Sequence, residues 1–483
     1  MSHDVPQRIS LSITSHTNIG KTTLVRTLLR RDVGKVLDQA HVTDQNEKFT
    51  WLETQEGEKL EVWDTPGFGN SVQLLRLLEK QENPIGWMIA HVWDRFNDRP
   101  LWCSQQALKN VRDEADVVLY LVNALEEPTL ASGYINPELA IIEWLQKPTL
   151  VVLNQMGPES DPEERKQRER DWHACLQKYS VVRGVVSLDS FSRCWVLEGV
   201  LLEHVQAILP TSSQPSMARL GENWKRQNCE IFKNSMARIA EVISRAVYDQ
   251  EEVSGTGQTR KAKVKHAAEK LRHRLEQGIW LAVQDLINWH GLEGGAAIKI
   301  QAQLHDLTVP METSVMEEAL GRAALGGFGG AAAGTATGAA IDAATGGMSL
   351  GLFALTGAFL GALGLAAWGN EIETAETLKI KWVPKYLDTL TQDLLLRYLA
   401  VAHFGRGQGI FRSDNENPLV WKREIQEGYE AYHNMFQAFW STEDHEQEVL
   451  QKQLSPILET LTKEVLLVLY PATKEYLNEM SGN

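Results

Sequence analysis

The sequence predicts an α/β domain, with a mostly parallel sheet flanked by helices, followed by an all-α domain that contains a helical hairpin. Residues 1–210 alternate short β-like runs with helical stretches, which is the pattern of a parallel sheet covered by helices. Residues 217–322 and 368–483 carry helical patterning. Residues 323–367 are almost all Gly, Ala, Leu, Phe and Thr, and a Ser-rich patch at 211–216 is typical of a linker.

Composition limits the classes of partner and compartment. The chain has 483 residues, which is enough for roughly two to four domains. Its net charge is −15, from 48 Lys and Arg against 63 Asp and Glu, so we expect no nucleic-acid partner. The four cysteines show no Cys-x-x-Cys spacing, which argues against a zinc site or a disulfide framework. Because the N-terminus also lacks an apolar signal segment, a cytoplasmic protein is expected.

Six β-like runs give the predicted strands of the first domain. A Glu-Gly-Glu turn at 56–58 predicts a hairpin between the second and third runs. Helical stretches separate the later runs, which favours parallel pairing. The six runs are Ile9–Thr14, Phe49–Glu53, Leu60–Trp63, Val117–Val122, Leu150–Leu153 and Val181–Ser187.

A loop with Gly and Lys follows the first predicted strand and precedes a helix. Residues 15–22 match the P-loop spacing G-x-x-x-x-G-K-[ST], with Ser15 at the first glycine position. The loop N–H groups and the helix N-terminus suit phosphate, Lys21 can reach the β- and γ-phosphates, and the Thr22 hydroxyl can bind Mg²⁺. The pattern predicts an α/β P-loop NTPase domain. The nucleotide-contacting residues predicted here are Ser15, Asn18, Ile19, Gly20, Lys21, Thr22 and Thr23.

The segment Asp64-Thr-Pro-Gly67 ends the third predicted strand and complements the P-loop. Asp64 is placed to hold Mg²⁺ through a water, and the Gly67 N–H can approach a γ-phosphate. Thr43 lies in a polar loop before this segment, where a first-switch threonine would contact both Mg²⁺ and the γ-phosphate. Thr43 can equally be an ordinary loop residue, and Thr50 is a rival within a strand. These residues predict triphosphate hydrolysis, with Lys21 and Thr43 as the catalytic residues.

Asn154 and Gln155 follow the fifth predicted strand, where GTP-binding proteins carry Asn-Lys-x-Asp. Gln155 replaces the Lys, and Gly157 replaces the Asp that pairs with guanine. Losing that carboxylate is expected to cost about 2 kcal/mol of guanine preference. Asn154 is retained and is expected to brace the loops, while Ser187 and Leu188 occupy the predicted last base loop.

Three acidic residues near the base loops are candidates to replace the missing carboxylate. They are Glu159, Asp161 and Asp189. Each can equally be a solvated loop acid or a helix cap. The sequence therefore leaves the choice between guanine and adenine open, whereas the phosphate end of the predicted site is complete.

Several motifs carry a resemblance to known GTPases. SHTNIGKTT, DTPGFG, ADVVLYLVNA, LVVLNQMG and VVSLDSF occur in the order of a translation-factor-class GTPase of the Era/TrmE type. More narrowly, NPIGWMIAHVWDRFNDRPLW and LDSFSRCWVLE resemble a bacterial family that joins a GTPase domain to a C-terminal domain of unknown function. The resemblance covers essentially the whole chain. It implies GTP and GDP as ligands, Mg²⁺ as cofactor and, since members often stand beside a gene for a membrane protein, an integral membrane protein as partner.

The resemblance also bears on how GTP would be hydrolysed. Phe68 stands where Ras-like switches have the Gln that orients water, and Phe cannot hydrogen-bond water. Asn18 holds the position at which Era/TrmE-like GTPases bind K⁺ between the phosphates. This implies K⁺-stimulated hydrolysis that depends on a homodimer formed through the GTPase domain. Two other interpretations stay open: Asn18 is a local loop-capping residue, or the protein is catalytically idle.

The segment 86–102, GWMIAHVWDRFNDRPLW, is unusually rich in Trp and charged residues. One interpretation is a partner surface that moves with the second switch. The other is a helical insertion whose Trp side chains fill the core.

Residues 323–367 are predicted to form a helical hairpin with glycine stripes. Close helix packing is the usual compensation for the roughly 1 kcal/mol that each glycine costs in a helix. Each arm, of about 18 residues, is at the lower limit for spanning a bilayer. Association with the inner membrane and a tightly packed soluble hairpin both stay open. The stripes consist of Gly326, Gly330, Gly334, Gly338, Gly357 and Gly361.

A basic cluster precedes the hairpin. It either faces anionic lipid or, because acidic residues interrupt it, forms a solvated helix face. Its members are Arg260, Lys261, Lys263, Lys265, Lys270, Arg272 and Arg274.

Taken together, these features predict a GTPase that hydrolyses GTP with Mg²⁺ and couples its nucleotide state to a helical, membrane-associated effector domain. One alternative is a catalytically weak nucleotide-binding scaffold for a membrane or protein partner. Another is a dynamin-like or toxin-like membrane-active protein in which the hairpin does the work.

Overall fold

The chain forms two compact units. The first comprises Met1–Cys229, Ala402–Ile410 and Ala472–Asn483, and the second comprises Glu230–Val401 and Phe411–Pro471. The computed structural model describes residues 7–31, 33, 45–91, 98–155, 162–190, 193–255, 257–292, 363–365, 377–404, 419–441 and 446–479.

A six-stranded sheet organises the described part of the first unit. Its order is β2-β3-β1-β4-β5-β6, with β2 antiparallel to β3 and the other neighbours parallel. The strands are β1 Arg8–Thr14, β2 Glu47–Glu53, β3 Lys59–Asp64, β4 Val117–Asn123, β5 Thr149–Asn154 and β6 Val182–Ser187. Each coincides within a few residues with a run predicted from the sequence, so the mostly parallel sheet is confirmed.

Burial explains why these runs are so apolar. Strand β5 is buried at every position and β4 at all but its last, as expected for central parallel strands covered on both faces. Strand β2 lies at the sheet edge and is partly exposed throughout. Because parallel strands share one carboxyl edge, the loops after β1, β3, β4 and β5 gather there, where α/β sheets bind ligands.

Helices connect the strands and cover the sheet. One large apolar cluster includes buried residues of the loop after β3, of β4 and β5, and of the helices around them. The helices are α1 Lys21–Leu29, α2 Ser71–Leu78, α3 Pro84–Ala90, α4 Arg99–Asp113, α5 Pro128–Leu145, α6 Pro162–Leu176 and α7 Trp195–Ile208.

Helix α8, Gln214–Tyr248, is 35 residues long, and the division between the two units falls within it. Residues 211–213, inside the predicted linker, form a turn that leads directly into this helix. The domain boundaries at 210 and 217 stay predictions.

The second unit is mainly helical, as predicted, but it also holds a small antiparallel sheet of order β7-β9-β8. In β9, Ile380 and Trp382 are buried and alternate with lysines, a two-residue period within a segment predicted to be helical. The prediction of helix was also wrong at Leu363–Leu365, which form β8. The elements are β7 Gln250–Ser254, α9 Gly257–Trp289, β8 Leu363–Leu365, β9 Thr377–Trp382, α10 Pro384–Ala402, α11 Leu419–Ser441 and α12 Gln447–Leu469.

The last described residues belong to the first unit. A 3₁₀ turn at Pro471–Thr473 leads into α13, Lys474–Glu479. Tyr476 packs directly on Gly199 of α7, where an added Cβ would lie 2.3 Å from the ring. Lys225 of α8 pairs with Glu479 at 2.9 Å. Helix α13 therefore packs on α7 and pairs with α8 within the first unit.

Within the described residues, no helix is both long enough and apolar enough to cross a membrane. The predicted hairpin at 323–367 lies outside those residues except for β8. Part of the basic cluster is neutralised by acidic neighbours: Arg274 pairs with Asp249 at 2.7 Å and with Glu251 at 2.6 Å. Arg272 pairs with Glu276 at 2.9 Å. These ion pairs favour the solvated helix face over a lipid-binding patch at these two arginines.

Candidate nucleotide-binding site

The P-loop joins β1 to α1 at the carboxyl edge of the sheet. Helix α1 begins at Lys21, so its N-terminus faces the loop. Gly20 has a φ of 98°, and a Cβ there would lie 2.8 Å from the Asn154 side chain, so only glycine fits without strain. Asn18 also has a positive φ, 63°, and is exposed. Ser15 and Thr23, predicted to contact nucleotide, are buried.

Lys21 is buried at the centre of the loop. Its Nζ donates to Ser15 Oγ at 3.2 Å and to the His16 carbonyl at 3.0 Å. Burial lowers the pKa of Lys21 to about 8. A Cβ on Gly67 would lie 2.8 Å from this Nζ, so the two predicted γ-phosphate contacts lie side by side.

Thr22 and Asp64 meet in the same place. The Thr22 hydroxyl donates to Asp64 Oδ2 at 2.6 Å. The carboxylate is 1% exposed, and its burial raises the pKa of Asp64 to about 6. Its Oδ1 is also buried and has no hydrogen-bond partner among the described residues. The Thr22 hydroxyl and the second carboxylate oxygen of Asp64 fit a Mg²⁺ site. Thr22 would bind the ion directly, and Asp64 would bind it through water.

Helix α4 holds the loop that follows Asp64. Phe68 is fully buried in the apolar cluster, and its N–H donates to the Ser15 carbonyl at 2.9 Å. The Gly69 N–H donates to Ser104 Oγ of α4 at 3.1 Å. A Cβ on Gly69 would lie 2.5 Å from the Pro100 side chain. Phe68 therefore points away from the phosphate site, and α4 packs against the loop.

The Trp-rich segment 86–102 belongs to α3, α4 and the connection between them. Trp87 and Trp102 are half-buried, and the Trp87 ring stacks on His91 at 4.7 Å. Leu101 is buried against the apolar cluster. The segment thus contributes to the core through Leu101 and keeps partly exposed Trp surface, so both interpretations of this insertion remain predictions.

On the base side, Asn154 ties two loops together. Its Nδ2 donates to the Ile19 carbonyl at 2.6 Å, and its Oδ1 accepts from the Ser190 N–H at 2.8 Å. This is the bracing geometry expected for this asparagine. Gln155 follows with a φ of 55°, which turns the chain sharply beside Gly20.

Ser187 and Leu188, predicted to contact the base, make other contacts. Ser187 Oγ donates to Glu169 at 2.5 Å, and the Leu188 N–H extends the β5–β6 ladder to the Leu153 carbonyl at 3.1 Å. Ser190 lies against the P-loop instead, and its carbonyl accepts from Thr27 at 2.7 Å. Sequence reasoning missed Ser190, because only the strand register shows where the ladder ends.

Sequence reasoning also missed Glu138, a fully buried carboxylate of α5 behind the P-loop. It accepts hydrogen bonds from His16 Nδ1 and from the Tyr120 hydroxyl, each at 2.7 Å. The available signal was a lone Glu in the apolar stretch that follows Pro137.

Four predicted residues are not described by the structure. They are Thr43, Gly157, Glu159 and Asp161. Asp189 is described and half-buried at the base loop. The roles of all five stay predictions.

Comparison with known protein families identifies the first region. Residues 11–155 match the model of the family described as 50S ribosome-binding GTPase. This match, the P-loop and the parallel sheet show a GTP-binding GTPase domain of the P-loop type. No curated protein matches the chain significantly.

Solved structures with similarity to this chain include two of Era. Era from Aquifex aeolicus is 20% identical over 42% of this chain and 57% of its own, with a TM-score of 0.29. Era bound to MgGDPNP and a segment of 16S ribosomal RNA is 18% identical over 43% of this chain and 58% of its own, with a TM-score of 0.29. Toc33 from Arabidopsis thaliana is 17% identical over 39% of this chain and 72% of its own, with a TM-score of 0.26. The chain thus spans less than two thirds of either Era chain.

The C-terminal region has its own family match. Residues 182–463 match the model described as a domain of unknown function, DUF3482. That span covers more than half of the 483 residues. The chain therefore belongs to the DUF3482 family and joins this domain to an N-terminal GTPase domain.

Proposed function

We propose that the protein hydrolyses GTP with Mg²⁺ and that its nucleotide state acts on the C-terminal helical region. The observation that carries the chemistry is the contact of Thr22 with Asp64, beside the buried Lys21. Thr22 and Asp64 would hold a Mg²⁺ ion here, and that ion, together with Lys21, would neutralise charge on the phosphates. Water attacks the γ-phosphorus, the bond from that phosphorus to the β–γ bridging oxygen breaks, and GDP and inorganic phosphate are released.

Phosphate release from GTP tests this chemistry. Lys21→Ala and Thr22→Ala are each expected to lower the rate at least about tenfold, because each removes charge or metal stabilisation from the transition state. Lys80→Ala, which removes an exposed lysine after α2, is the matched control and should leave the rate unchanged. Equal rates in all four proteins would refute the assignment of hydrolysis to this site.

The β2–β3 hairpin supports the coupling to the helical region. One end of the hairpin leads into Asp64, and its far end is bound to α8. Glu58, only 4% exposed, accepts from Arg219 Nε at 2.9 Å and 3.1 Å. This ion pair lowers the pKa of Glu58. A shift of β3 at Asp64 would therefore displace Glu58, the residue to which Arg219 is bound.

Three further contacts fix the same half of α8 and the turn before it. Gln7, at the start of β1, donates to Ser213 at 2.6 Å, and Asn223 donates to the Glu53 carbonyl at 3.5 Å. Arg30, at the end of α1, donates to Asn228 at 2.7 Å. Movements of β1, of the hairpin and of α1 would therefore each act on the first half of α8.

Hydrogen exchange along α8 tests the coupling. We expect the protection of residues 214–229 to differ between the GDP-bound and GTP-analogue-bound protein, and the difference to shrink in Arg219→Met. Arg226→Met is the matched control, because among the described residues the Arg226 side chain bonds only to its own helix neighbour Asn223, at 2.7 Å. The same nucleotide-dependent difference in all three proteins would exclude the Glu58–Arg219 contact as the link.

K⁺ stimulation is part of the proposal through Asn18. Its side chain is exposed in the P-loop, on the phosphate side of the sheet. We expect faster phosphate release in KCl than in NaCl, and no stimulation in Asn18→Ala. Equal rates in the two salts would remove K⁺, and with it the implied homodimer that K⁺-dependent hydrolysis requires.

Membrane association through residues 323–367 is the last part of the proposal, and its support is the sequence alone. Flotation with anionic liposomes tests it. The full chain is expected to float, and a chain without residues 323–367 is expected to remain in solution. A full chain that ignores liposomes would favour a cytoplasmic scaffold that binds a protein partner.

A further inference from the structure

Glu138 links three elements behind the phosphate site. It lies on α5, is 0% exposed, and accepts from His16 of the P-loop and from Tyr120 of β4, each at 2.7 Å. The His16 ring also stacks on Tyr134 of α5 at 4.6 Å. None of the nucleotide-binding motifs accounts for this carboxylate, whose burial is costly unless it is hydrogen-bonded, as it is here by His16 and Tyr120.

His16, to which Glu138 is hydrogen-bonded, also contacts Lys21 of the phosphate site. The His16 carbonyl accepts from Lys21 Nζ at 3.0 Å. The adjacent Ser15 carbonyl accepts from Phe68 of the second switch loop at 2.9 Å. A displacement of His16 would therefore move both the Lys21 side chain and the loop that contains Gly67 and Phe68.

The charge of Glu138 also reaches the phosphate site. Together with Asp64, Glu138 acts to raise the pKa of Lys21 against the larger, lowering effect of burial. Burial raises the pKa of Glu138, and this effect outweighs the hydrogen bonds from His16 and Tyr120, which lower it. A carboxylate whose field is felt at Lys21 is felt also by the phosphates that Lys21 binds, and there it repels.

We propose that Glu138 is a positioning residue that orients the P-loop through His16, and that its negative charge weakens the binding of nucleotide phosphates. The two effects have opposite signs on affinity, so they can be separated. This inference rests on the proposed binding of nucleotide at the P-loop.

The test compares dissociation constants for GDP and for a non-hydrolysable GTP analogue with Mg²⁺. Glu138→Gln keeps the shape and an acceptor oxygen but removes the charge, so it is expected to bind the analogue roughly three- to tenfold more tightly, with a smaller gain for GDP. His16→Ala keeps the charge without its donor, so binding is expected to weaken at least about fivefold. The double variant is expected to recover most of that loss.

Glu143→Gln is the matched control. Glu143 lies on the same helix, is half-buried, and accepts from the Ser180 N–H at 2.8 Å, away from the P-loop. Its affinity should equal that of the wild type. A merely structural role of Glu138 predicts weaker binding in every Glu138 variant, whereas the charge role predicts tighter binding in Glu138→Gln.

Unchanged or weaker binding by a folded Glu138→Gln protein would overturn the inference. If that variant does not fold, His16→Ala decides the positioning role, and unchanged affinity of a folded His16→Ala protein would overturn the inference. Wild-type binding that Lys21→Ala does not alter would overturn both this inference and the proposed function. Wild-type binding that depends on Lys21, without a gain in Glu138→Gln, would overturn the inference alone.

Discussion

At the residue scale, burial brings the pKa values of the two charged groups of the phosphate site close to neutral pH, one from above and one from below. Lys21 has its pKa lowered to about 8, and Asp64 has its pKa raised to about 6. The proposed function needs each group in its charged form, Lys21 for the phosphates and Asp64 for Mg²⁺. Binding of Mg²⁺ and nucleotide should therefore shift both pKa values back toward their ordinary range.

The first prediction is a bell-shaped pH dependence of Mg²⁺–GTP affinity, with its maximum between about pH 6 and 8. Affinity falls below this window because protonated Asp64 cannot hold Mg²⁺, and above it because Lys21 loses its charge. Titration calorimetry between pH 5 and pH 9 would measure it. Without Mg²⁺ the acidic limb should disappear for GDP. An affinity that is constant over this range would contradict the roles of both residues.

The second prediction concerns the base. Because no carboxylate stands at position 157, the preference for GTP over ATP should be weak, and Gly157→Asp should raise it roughly tenfold or more through charge-assisted hydrogen bonds to guanine. Competition between GTP and ATP for a fluorescent nucleotide would measure the ratio. Asp189→Asn is the companion variant. If wild-type preference is already strong and Asp189→Asn removes it, Asp189 is the replacement carboxylate.

Lys21, Thr22 and Asp64 belong to motifs with fixed spacing, so local patterns sufficed to predict that these three residues meet. They did not suffice for Glu138 or Ser190. Those residues reach the P-loop through contacts with partners distant in sequence, His16 and Asn154, and no single-sequence periodicity encodes such contacts. The assignment of Ser187 to the base loop depended on where β6 ends, and strand ends are set by ladder register.

At the element scale, α4 packs against the loop that follows Asp64. Gly69 is pressed against Pro100, and its N–H is held by Ser104. The sequence predicted an insertion here but not its contact with the loop, because the contact joins the start of α4 to a turn that precedes α2. The alternation that identifies β9 was present in the sequence but was outweighed by the surrounding helical pattern.

The third prediction compares two glycines. Gly69→Ala should lower the free energy of unfolding by about 1–3 kcal/mol, because the new methyl group would overlap Pro100. Gly133→Ala on α5 is the control: no atom lies within 4 Å of its Cβ position, so alanine should stabilise the helix by up to about 1 kcal/mol. Urea unfolding measures both changes. Equal changes in the free energy of unfolding would show that α4 moves to accommodate the methyl group and does not pack tightly against the loop.

At the scale of the whole molecule, α13 belongs to the first unit and packs on α7. Tyr476 fills the space left by Gly199, and Lys225 lies over the Tyr476 ring at 4.9 Å while pairing with Glu479. The sequence predicts a helical C-terminal region but gives no sign that its last helix belongs to the first unit. Such a return depends on packing between residues far apart in sequence.

The fourth prediction is that Tyr476→Ala destabilises the first unit by about 2–4 kcal/mol through the cavity that it leaves. Glu479→Gln, which breaks the exposed ion pair with Lys225, should cost less than about 1 kcal/mol. Thermal unfolding in the presence and absence of GDP would measure both variants. A Tyr476→Ala protein as stable as Glu479→Gln would show that α13 packs only loosely on α7.

Nucleotide affinity shows whether the P-loop binds GTP. Dissociation constants for GTP and ATP, each with Mg²⁺, are measured for the wild-type protein and for Lys21→Ala. We expect the wild type to bind GTP more tightly than ATP by a modest factor, and Lys21→Ala to lose about tenfold or more of its affinity for either triphosphate. Unchanged binding by Lys21→Ala, or ATP bound as tightly as GTP, would contradict the assignment of a GTP site at this P-loop.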